Sequence, residues 1–161
     1  MHILAPGHPA PDFTATTASG AMFQLSALRG QKVVLFFYPK SDTPTCTAEA
    51  CSFRDSYASI QGHGAVVVGV SPDPVTAQVA FRDKHHLPYV LIADSDRQVS
   101  ELYGVWGTHR VRREDGAEVT YTGVLRTTFI IDEYGMIRHV FPNVNVRVHI
   151  QEVLKALEGE N

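Results

Sequence analysis

Residues 32–38 read KVVLFFY and, after Lys32, form a run of apolar, β-branched and aromatic side chains between Gly30 and Pro39. A strand with one solvent-facing side alternates apolar and polar residues, whereas a strand covered on both faces shows an unbroken apolar run. This stretch is therefore predicted to be a central strand of a β-sheet with packing partners on both sides.

Strand patterns recur on either side of this run. Further strands are predicted at AVVVGV (65–70), YVLIA (89–93), LRTTFII (125–131) and MIRHVF (136–141), the last two joined by the turn DEYG (132–135). A hairpin is expected in DFTATTASGAMFQL (12–25), around Gly20. Residues 104–124 are expected to be a long loop with a small hairpin at EDGA (114–117).

Helix patterns separate these strands. Helices are predicted from about Thr45 to Gln61, after Asp73 as N-cap with Pro74 at the first helical position, over RQVSELYG (97–104) and over VRVHIQEVLKALE (146–158). Strands that alternate with helices, together with one hairpin, predict an α/β fold with a central mixed β-sheet flanked by helices. The length favours a single domain over residues 1–161.

The composition argues against several classes of protein. The formal net charge is -3, so a phosphate-rich partner such as a nucleic acid is not expected. The start, MHILAPGHPAPDF, lacks the basic stretch and apolar core of a signal peptide, and no segment approaches roughly 18 uninterrupted apolar residues. We therefore expect a cytoplasmic protein with no membrane partner. Thiols stay reduced there, so its cysteines are expected to serve catalysis, redox sensing or metal binding rather than a structural disulfide.

The two cysteines, Cys46 and Cys51, both lie in the segment TPTCTAEAC. Thr43 suits the N-cap of the helix and Pro44 its first position, which puts Cys46 third, where a capping box would place a carboxylate. Free N–H groups and the positive end of the helix dipole favour a negatively charged sulfur at this point. Apolar residues four and seven positions later continue the same helical face, so Cys46 is expected to point inward into a pocket.

Cys51 would not face Cys46 in an intact helix. Five residues turn a helix by about 140° and rise by about 7.5 Å, which separates the two Cα atoms by roughly 8.7 Å. A disulfide usually spans at most about 6.8 Å between Cα atoms, so the pair can bond only if the start of the helix unwinds. Such a pair suits a sulfenic acid intermediate that peroxide forms on the first sulfur and the second thiol resolves.

The segment FFYPKSDTPTCTAEACSFRD, residues 36–55, resembles the active-site segment of peroxiredoxins, in particular the atypical two-cysteine Q group, also called bacterioferritin comigratory proteins. Members carry a proline, a threonine or serine four residues later and the peroxidatic cysteine three residues after that. Pro39, Thr43 and Cys46 match this pattern. The likeness extends through APDF (10–13), YGVWG (103–107), LRTTFIID (125–132) and the last helix.

The resemblance implies a thioredoxin-like fold and a peroxidase that reduces hydrogen peroxide and organic hydroperoxides. Cys46 matches the peroxidatic cysteine, and Cys51 matches the resolving position found in many members of the group. Thr43 and a remote arginine, matched by Arg126, would hold and polarise the peroxide, while Pro39 would shield the sulfur from solvent. Thioredoxin or a glutaredoxin-like dithiol protein would return the electrons. No metal, haem or flavin cofactor is implied.

The chain departs from the family pattern at Thr45, because glycine usually stands directly before the peroxidatic cysteine. A side chain there would narrow the pocket or change the preferred peroxide without changing the type of reaction. Arg54 lies two turns along the helix and is assigned to structural pairing, with Asp55 as a candidate partner. A monomer is expected from the resemblance, since a resolving cysteine in the same chain needs no partner subunit; a weak dimer is the alternative.

Three other functions stay open at this point. Eight histidines and two cysteines could supply ligands for a metal-binding module, although no spacing repeats a structural zinc pattern. A redox sensor could use the same oxidisable thiol to switch a partner, and it would differ from an enzyme in slow or absent recycling. A thiol–disulfide exchange enzyme is less favoured because the chain lacks a CxxC motif.

Overall fold

The computed structural model describes residues 3–112 and 115–159, which contain five α-helices and nine strands. The strands are β1 (Thr14–Thr16), β2 (Met22–Gln24), β3 (Lys32–Phe37), β4 (Ala65–Ser71), β5 (Val90–Ala93), β6 (Trp106–Arg112), β7 (Glu118–Val124), β8 (Thr127–Ile131) and β9 (Ile137–Phe141). The helices are α1 (Pro44–Asp55), α2 (Tyr57–Gly62), α3 (Val75–His85), α4 (Gln98–Leu102) and α5 (His149–Glu158), and a 3-10 turn covers Leu25–Leu28. Within these ranges, no helix is long and apolar enough to cross a lipid bilayer.

Strand β3 lies in the middle of a five-stranded sheet with the order β5-β4-β3-β8-β9. It runs parallel to β4, which is parallel to β5, and antiparallel to β8, which is antiparallel to β9. All six residues of β3 are buried, as the unbroken apolar run predicts. The hairpin expected around Gly20 forms as β1 and β2. The predicted α/β fold with a mixed central sheet flanked by helices is confirmed.

Alternate residues of β3 belong to two hydrophobic clusters, because successive side chains of a strand point to opposite faces of the sheet. Leu35 and Phe37 pack in the cluster that includes Val99 of α4. Phe36 packs in the other cluster, which draws residues from α1, α2, α3 and α5. Its ring stacks on Phe53 of α1 with 4.6 Å between the ring centroids. The sheet therefore supports α1 directly through an aromatic pair.

Gly69 in β4 makes room for this aromatic pair. A Cβ atom at position 69 would lie 2.9 Å from Cζ of Phe36 and 3.0 Å from Cδ2 of Leu91. Non-bonded carbon atoms pack at about 3.5–4.0 Å, so even a methyl group at position 69 would push the Phe36 ring. The residue is glycine because of this close approach inside the sheet.

The helix expected from about Thr45 to Gln61 is in fact two helices, α1 and α2, joined at Ser56. Ser56 has φ -105° and ψ 8°, and its N–H bonds to the carbonyl groups of Ser52 and Arg54. Serine favours helix ends over helix interiors because its short polar side chain competes for nearby backbone groups. Because the residues on both sides of Ser56 follow a helical pattern, the sequence did not reveal that the helix is interrupted there.

The prediction that Asp73 caps α3 is wrong. The N-cap residue is Pro74, whose backbone is extended at φ -70° and ψ 166°, and the helix begins at Val75. The Asp73 carboxylate instead accepts hydrogen bonds from the N–H of Ser41 and the hydroxyl of Ser71, both at 2.7 Å. Asp73 therefore bonds to Ser41, which lies 32 residues away in the chain, instead of capping α3.

The expectation of a long loop over residues 104–124 is wrong in extent. Strands β6 and β7 pair over seven residues each, from Trp106 opposite Val124 to Arg112 opposite Glu118. Part of the expected turn EDGA, Glu114, lies outside the described residues. Strand β7 (EVTYTGV) is rich in valine, threonine and tyrosine, and β6 (WGTHRVR) contains tryptophan, threonine and valine. These residues favour extended structure, which outweighed the polar character of the segment.

The register of the central sheet brings two distant parts of the chain together. Phe37, the last residue of β3, pairs with Thr127, the first residue of β8. The two strands are antiparallel, so the segment that leaves β3 and the residue that enters β8 lie at the same edge of the sheet. These are the segment that leads into α1 and Arg126.

Candidate active site

Helix α1 begins at this edge of the sheet with an unfilled N-terminus. Thr43 is the N-cap and Pro44 the first helical residue, as the sequence predicts. Thr43 makes no side-chain capping hydrogen bond, and its hydroxyl instead donates to the carbonyl of Lys40 at 2.8 Å. The N–H groups of a first helical turn have no acceptor inside the helix. The start of α1 can therefore hold a negative charge, at the position where the chain places Cys46.

The sulfur of Cys46 lies next to a guanidinium group. Cys46 points inward and is 1% exposed, as predicted. Nη2 of Arg126 donates a hydrogen bond to its Sγ at 3.2 Å, and the Arg126 side chain is 14% exposed. Burial works to lower the pKa of Arg126, but the charges of Glu49 and Cys46 outweigh it and raise that pKa. A permanent cation thus stands beside the sulfur, where it can stabilise negative charge on the reacting atoms.

Glu49 is a member of this site that the sequence analysis missed. Its side chain is 1% exposed, and Oε1 accepts a hydrogen bond from Nη1 of Arg126 at 2.8 Å. The other oxygen, Oε2, has no hydrogen-bond partner among the described residues. Burial raises the pKa of Glu49 to about 7, although Arg126 acts in the opposite direction. Glu49 and Cys46 thus share one guanidinium group.

The spacing of Glu49 contained a signal that would have found it. Positions three apart lie on the same side of a helix, so Glu49 shares the inward face of Cys46. A carboxylate that must be buried needs a cation or a hydrogen-bond donor. An acidic residue on the predicted core face of α1 therefore indicates a buried cation nearby.

Hydrogen bonds to Asp73, which lies just before α3, and to two residues of α3 fix the loop between β3 and α1. The N–H of Ser41 bonds to Asp73, as described above. The next residue, Asp42, has a left-handed backbone at φ 62°, which aspartate tolerates better than most residues. Its carboxylate accepts hydrogen bonds from Nζ of Lys84 at 3.0 Å and Nε2 of His85 at 3.2 Å. The backbone that leads to the start of α1 is thus held from the side of the neighbouring helix.

The remaining sequence candidates lie close to this point in the chain. Pro39 is half-buried and follows the end of β3 by two positions. Cys51 is half-buried in the middle of α1, and both cysteines are free thiols. Because Cys46 and Cys51 belong to one continuous helix, ideal helix geometry keeps their Cα atoms roughly 8.7 Å apart. The structure brings Arg126 to Cys46 and leaves Cys51 outside bonding range.

A cavity of about 590 Å³ opens beside the residue that precedes Cys46 in the chain. It is lined by Thr45, Arg112, Val144, Asn145, Val146 and Arg147. The N–H of Val144 donates to the carbonyl of Arg126 at 3.0 Å, so this wall of the cavity is joined to the backbone of the site. Small-molecule sites have volumes of about 300–1,000 Å³, and this cavity falls within that range. Thr45, at the usual glycine position, lies on its wall.

The arrangement has a clear chemical capacity. An inward-facing thiol, a buried cation and an open helix N-terminus together stabilise negative charge on sulfur and on an atom that reacts with it. Within the described ranges, no three His, Cys, Asp or Glu side chains come together as a metal ligand set. Fold and site define a thiol-dependent redox enzyme on a sheet of the thioredoxin type.

Comparisons with known proteins give the family. Residues 6–140 match the family model described as AhpC/TSA family. Peroxiredoxin Bcp of Bacillus subtilis is 39% identical over 152 residues, which cover 94% of each chain. The chain therefore belongs to the AhpC/TSA family, and it is a peroxiredoxin of the Bcp type, a peroxidase.

Solved structures agree with this assignment. Peroxidoxin BcpB from Mycobacterium tuberculosis has 32% sequence identity and a TM-score of 0.85, with 99% of both chains covered. The bacterioferritin comigratory protein of Xanthomonas campestris, whose structure concerns its alkyl peroxide reduction activity, has 27% identity and a TM-score of 0.85. That match covers 97% of this chain and 99% of the other. The resemblance seen in the sequence and the thioredoxin fold that it implies are confirmed.

Proposed function

We propose that this peroxiredoxin reduces hydrogen peroxide and organic hydroperoxides through a sulfenic acid on Cys46, which Cys51 resolves as a disulfide within the chain. The observation that carries the proposal is the 3.2 Å hydrogen bond from Arg126 to the sulfur at the open start of α1. The thiolate is the nucleophile in thiol oxidation, and both features favour the thiolate.

The first step transfers one oxygen atom. The Cys46 thiolate attacks the terminal peroxide oxygen, the S–O bond forms, and the O–O bond breaks. The leaving oxygen departs with the electron pair of that bond and takes up a proton, which gives water or an alcohol. Arg126 and the first-turn N–H groups stabilise the charge that builds on the peroxide oxygens. The Thr43 hydroxyl turns from the Lys40 carbonyl towards the bound peroxide.

The surroundings of the sulfur support this step. Pro39 lies two positions after β3, in the loop that leads to the site, and limits the access of bulk water. The cavity beside Thr45 gives space for an organic group attached to the peroxide. The activity described for the Xanthomonas campestris relative, alkyl peroxide reduction, is consistent with that space.

The second step forms the disulfide. The start of α1 unwinds, Cys51 attacks the sulfenic sulfur, and the S–S bond forms while the S–O bond breaks and water leaves. An external dithiol protein, thioredoxin or a glutaredoxin-like reductant, then returns two electrons by thiol–disulfide exchange. Because both cysteines belong to one chain, we infer that a monomer, acting as a single domain, completes the cycle.

The test uses single-turnover kinetics with cysteine variants. Reduced protein is mixed with about one equivalent of hydrogen peroxide, and peroxide loss, free thiols and intact mass are followed on the same sample. We expect fast peroxide loss, loss of both thiols and a mass lower by about two hydrogens. Cys46→Ser should abolish peroxide consumption, whereas Cys51→Ser should consume about one equivalent and stop at the sulfenic acid.

Two outcomes would contradict the proposal. Sustained turnover by Cys46→Ser would show that another group reacts with peroxide. Oxidation of the unsubstituted protein without turnover in the presence of a thioredoxin system would favour the redox sensor instead. The matched control is Ser52→Ala in α1, which leaves both thiols in place and should react at the unsubstituted rate.

A further inference from the structure

Cys51 lies between two hydrogen bonds that fasten α1 to the last residue of α3 and to the segment that follows it. The hydroxyl of Tyr89 donates to the carbonyl of Ala50 at 2.7 Å. One turn further along the helix, Nη1 of Arg54 donates to the carbonyl of His85 at 2.8 Å. The peptide group that joins Ala50 to Cys51 is therefore held by a side chain from outside the helix.

Tyr89 is a rigid donor for this bond. It directly precedes β5 and is 4% exposed. Its ring packs edge-on against Phe36 at 5.8 Å and Tyr57 at 5.7 Å between centroids. Burial raises the pKa of Tyr89 well above the ordinary tyrosine value, so the hydroxyl keeps the proton that it donates. The hydrogen bond thus ties the helix to the central sheet.

This bond opposes the motion that resolution requires. The Cα atoms of Cys46 and Cys51 must approach from roughly 8.7 Å to about 6.8 Å or less, so the unwinding that begins at the start of α1 must open the helical turn between them, and the Ala50–Cys51 peptide lies at the end of that turn. Helix hydrogen bonds broken at an exposed surface are replaced by bonds to water. The Tyr89 hydroxyl is buried, so losing its acceptor leaves a donor unsatisfied, which costs more than an exchange with solvent.

We propose that Tyr89 is a positioning residue that keeps Cys51 in the helix and thereby sets the rate of disulfide formation after Cys46 has reacted with peroxide. The proposal rests on the proposed function of Cys51 as the resolving cysteine. In the step concerned, the sulfenic hydroxyl of Cys46 leaves as water with the thiol proton of Cys51. A slower step leaves the sulfenic acid open to a second peroxide, which gives sulfinic acid.

The test removes the Tyr89 hydroxyl and keeps its ring. Reduced Tyr89→Phe protein is mixed with hydrogen peroxide, peroxide loss is followed by stopped flow, and disulfide is followed by rapid quench and mass spectrometry. We expect unchanged peroxide consumption and disulfide formation about fivefold faster, the factor that one ordinary hydrogen bond represents. At excess peroxide the variant should also contain less sulfinic acid than the unsubstituted protein.

Tyr103→Phe is the matched control. Tyr103 is fully buried, and its hydroxyl donates to the carbonyl of Pro11 at 2.7 Å, in the cluster on the other side of the sheet. This variant loses an equivalent hydrogen bond without touching α1, so its disulfide should form at the unsubstituted rate. Equal acceleration in both tyrosine variants would overturn the proposal, because general destabilisation would then explain the effect.

A second pair of variants tests the same idea should Tyr89→Phe fail to fold. Arg54 and Arg82 each pair with the following aspartate at 2.9 Å, and their side chains are 33% and 32% exposed. Only Arg54 of these two residues also donates a hydrogen bond from α1 to the carbonyl of His85 in α3. Arg54→Gln should accelerate disulfide formation relative to Arg82→Gln. Equal rates in the two variants would show that hydrogen bonds which fasten this part of α1 from outside do not limit disulfide formation, and this would overturn the premise on which the role of Tyr89 rests.

Measurements on the unsubstituted protein distinguish a failure of the proposed role of Cys51 from a failure of the proposed role of Tyr89. If it consumes peroxide and no disulfide appears, the resolving role of Cys51 fails and the role of Tyr89 fails with it. If the disulfide forms and Tyr89→Phe does not change its rate, the proposed function stands and the role of Tyr89 alone is overturned.

Discussion

Two helices of this protein begin in opposite ways. At the start of α4, the carboxylate of Asp94 accepts hydrogen bonds from the N–H groups of Val99 and Ser100 at 3.0 and 2.8 Å. It also accepts one from the Ser100 hydroxyl at 2.8 Å, while Asp96 accepts one from the N–H of Gln98 at 3.2 Å. The chain thus fills the N-terminus of α4 with its own carboxylates.

The start of α1 is left unfilled. The Thr43 hydroxyl bonds away from the helix, Pro44 has no N–H, and the sulfur of Cys46 occupies the first turn with Arg126 beside it. The difference shows two uses of the same electrostatic feature. A carboxylate at a helix N-terminus stabilises the fold, whereas an open N-terminus stabilises charge that develops during a reaction. Substitutions at three residues, Arg126, Glu49 and Asp94, test this comparison.

Removal of the Arg126 cation from the start of α1 should have the largest effect, a slower reaction with peroxide. Arg126→Met deletes the hydrogen bond to Cys46 and the charge beside it, so the second-order rate constant for hydrogen peroxide should fall by roughly 100- to 1,000-fold. Arg126→Lys should recover part of the rate, since lysine keeps the charge but cannot bridge Cys46 and Glu49 with two N–H groups. Stopped-flow measurement of peroxide loss checks both variants. A loss of less than about threefold in Arg126→Met would show that the open end of α1 suffices without the cation.

Glu49 should give the next largest effect, on the pH dependence of stability. Its pKa is about 7 in the folded protein against 4.5 as the ordinary value. Because the folded protein binds the Glu49 proton more tightly than the unfolded chain does, protonation stabilises the fold. This stabilisation is fully present below pH 4.5 and is lost as the pH rises through 7. The unsubstituted protein should therefore lose on the order of 3 kcal/mol between these values relative to Glu49→Gln. Urea unfolding across this pH range measures it.

The exposed Glu101 provides the control for that experiment. Glu101→Gln should follow the pH dependence of the unsubstituted protein. Parallel curves for Glu49→Gln and the unsubstituted protein would mean that Arg126 holds Glu49 ionised throughout the range, so that the two groups form a permanent ion pair.

Removal of the Asp94 carboxylate from the start of α4 should have the smallest effect of the three, a modest loss of stability. Asp94→Ala leaves the buried N–H groups of Val99 and Ser100 without their acceptor, so the free energy of unfolding should fall by about 2 kcal/mol. The rate constant for peroxide should not change. Asp96→Ala removes an exposed, longer hydrogen bond and should cost less than about 0.5 kcal/mol. A loss of activity in Asp94→Ala at unchanged stability would contradict the assignment of this end to the fold alone.

Local features of the fold and site were predictable from the sequence. The unbroken apolar run fixed β3, and Thr43 and Pro44 fixed the start of α1, because each signal depends on neighbouring residues. The contact between Arg126 and Cys46 spans 80 residues and follows from the pairing of β3 with β8, which no local pattern specifies. Only the family resemblance pointed to it.

The missed features share a physical cause. Asp73 suits a helix cap by local rules, yet Ser41 and Ser71 supply partners that become available only after the sheet has formed. Glu49 was not considered in the sequence analysis, because glutamate is rarely buried without a partner and its partner Arg126 lies far away in sequence. Sequence rules failed where a polar side chain obtains its hydrogen bonds from another part of the fold.

The space left empty at Gly69 has a consequence for how this enzyme can vary. Phe36 fits against position 69 because that residue carries only a hydrogen atom, and Phe53 rests on Phe36. Phe53 belongs to the same helix as Cys46, so the height of α1 above the sheet depends on the space that the neighbouring strand leaves for Phe36 at position 69. A relative with a larger residue at this position would need a smaller ring at position 36 to keep its sulfur within reach of its arginine. Substitutions at these two sites are therefore expected to be inherited together.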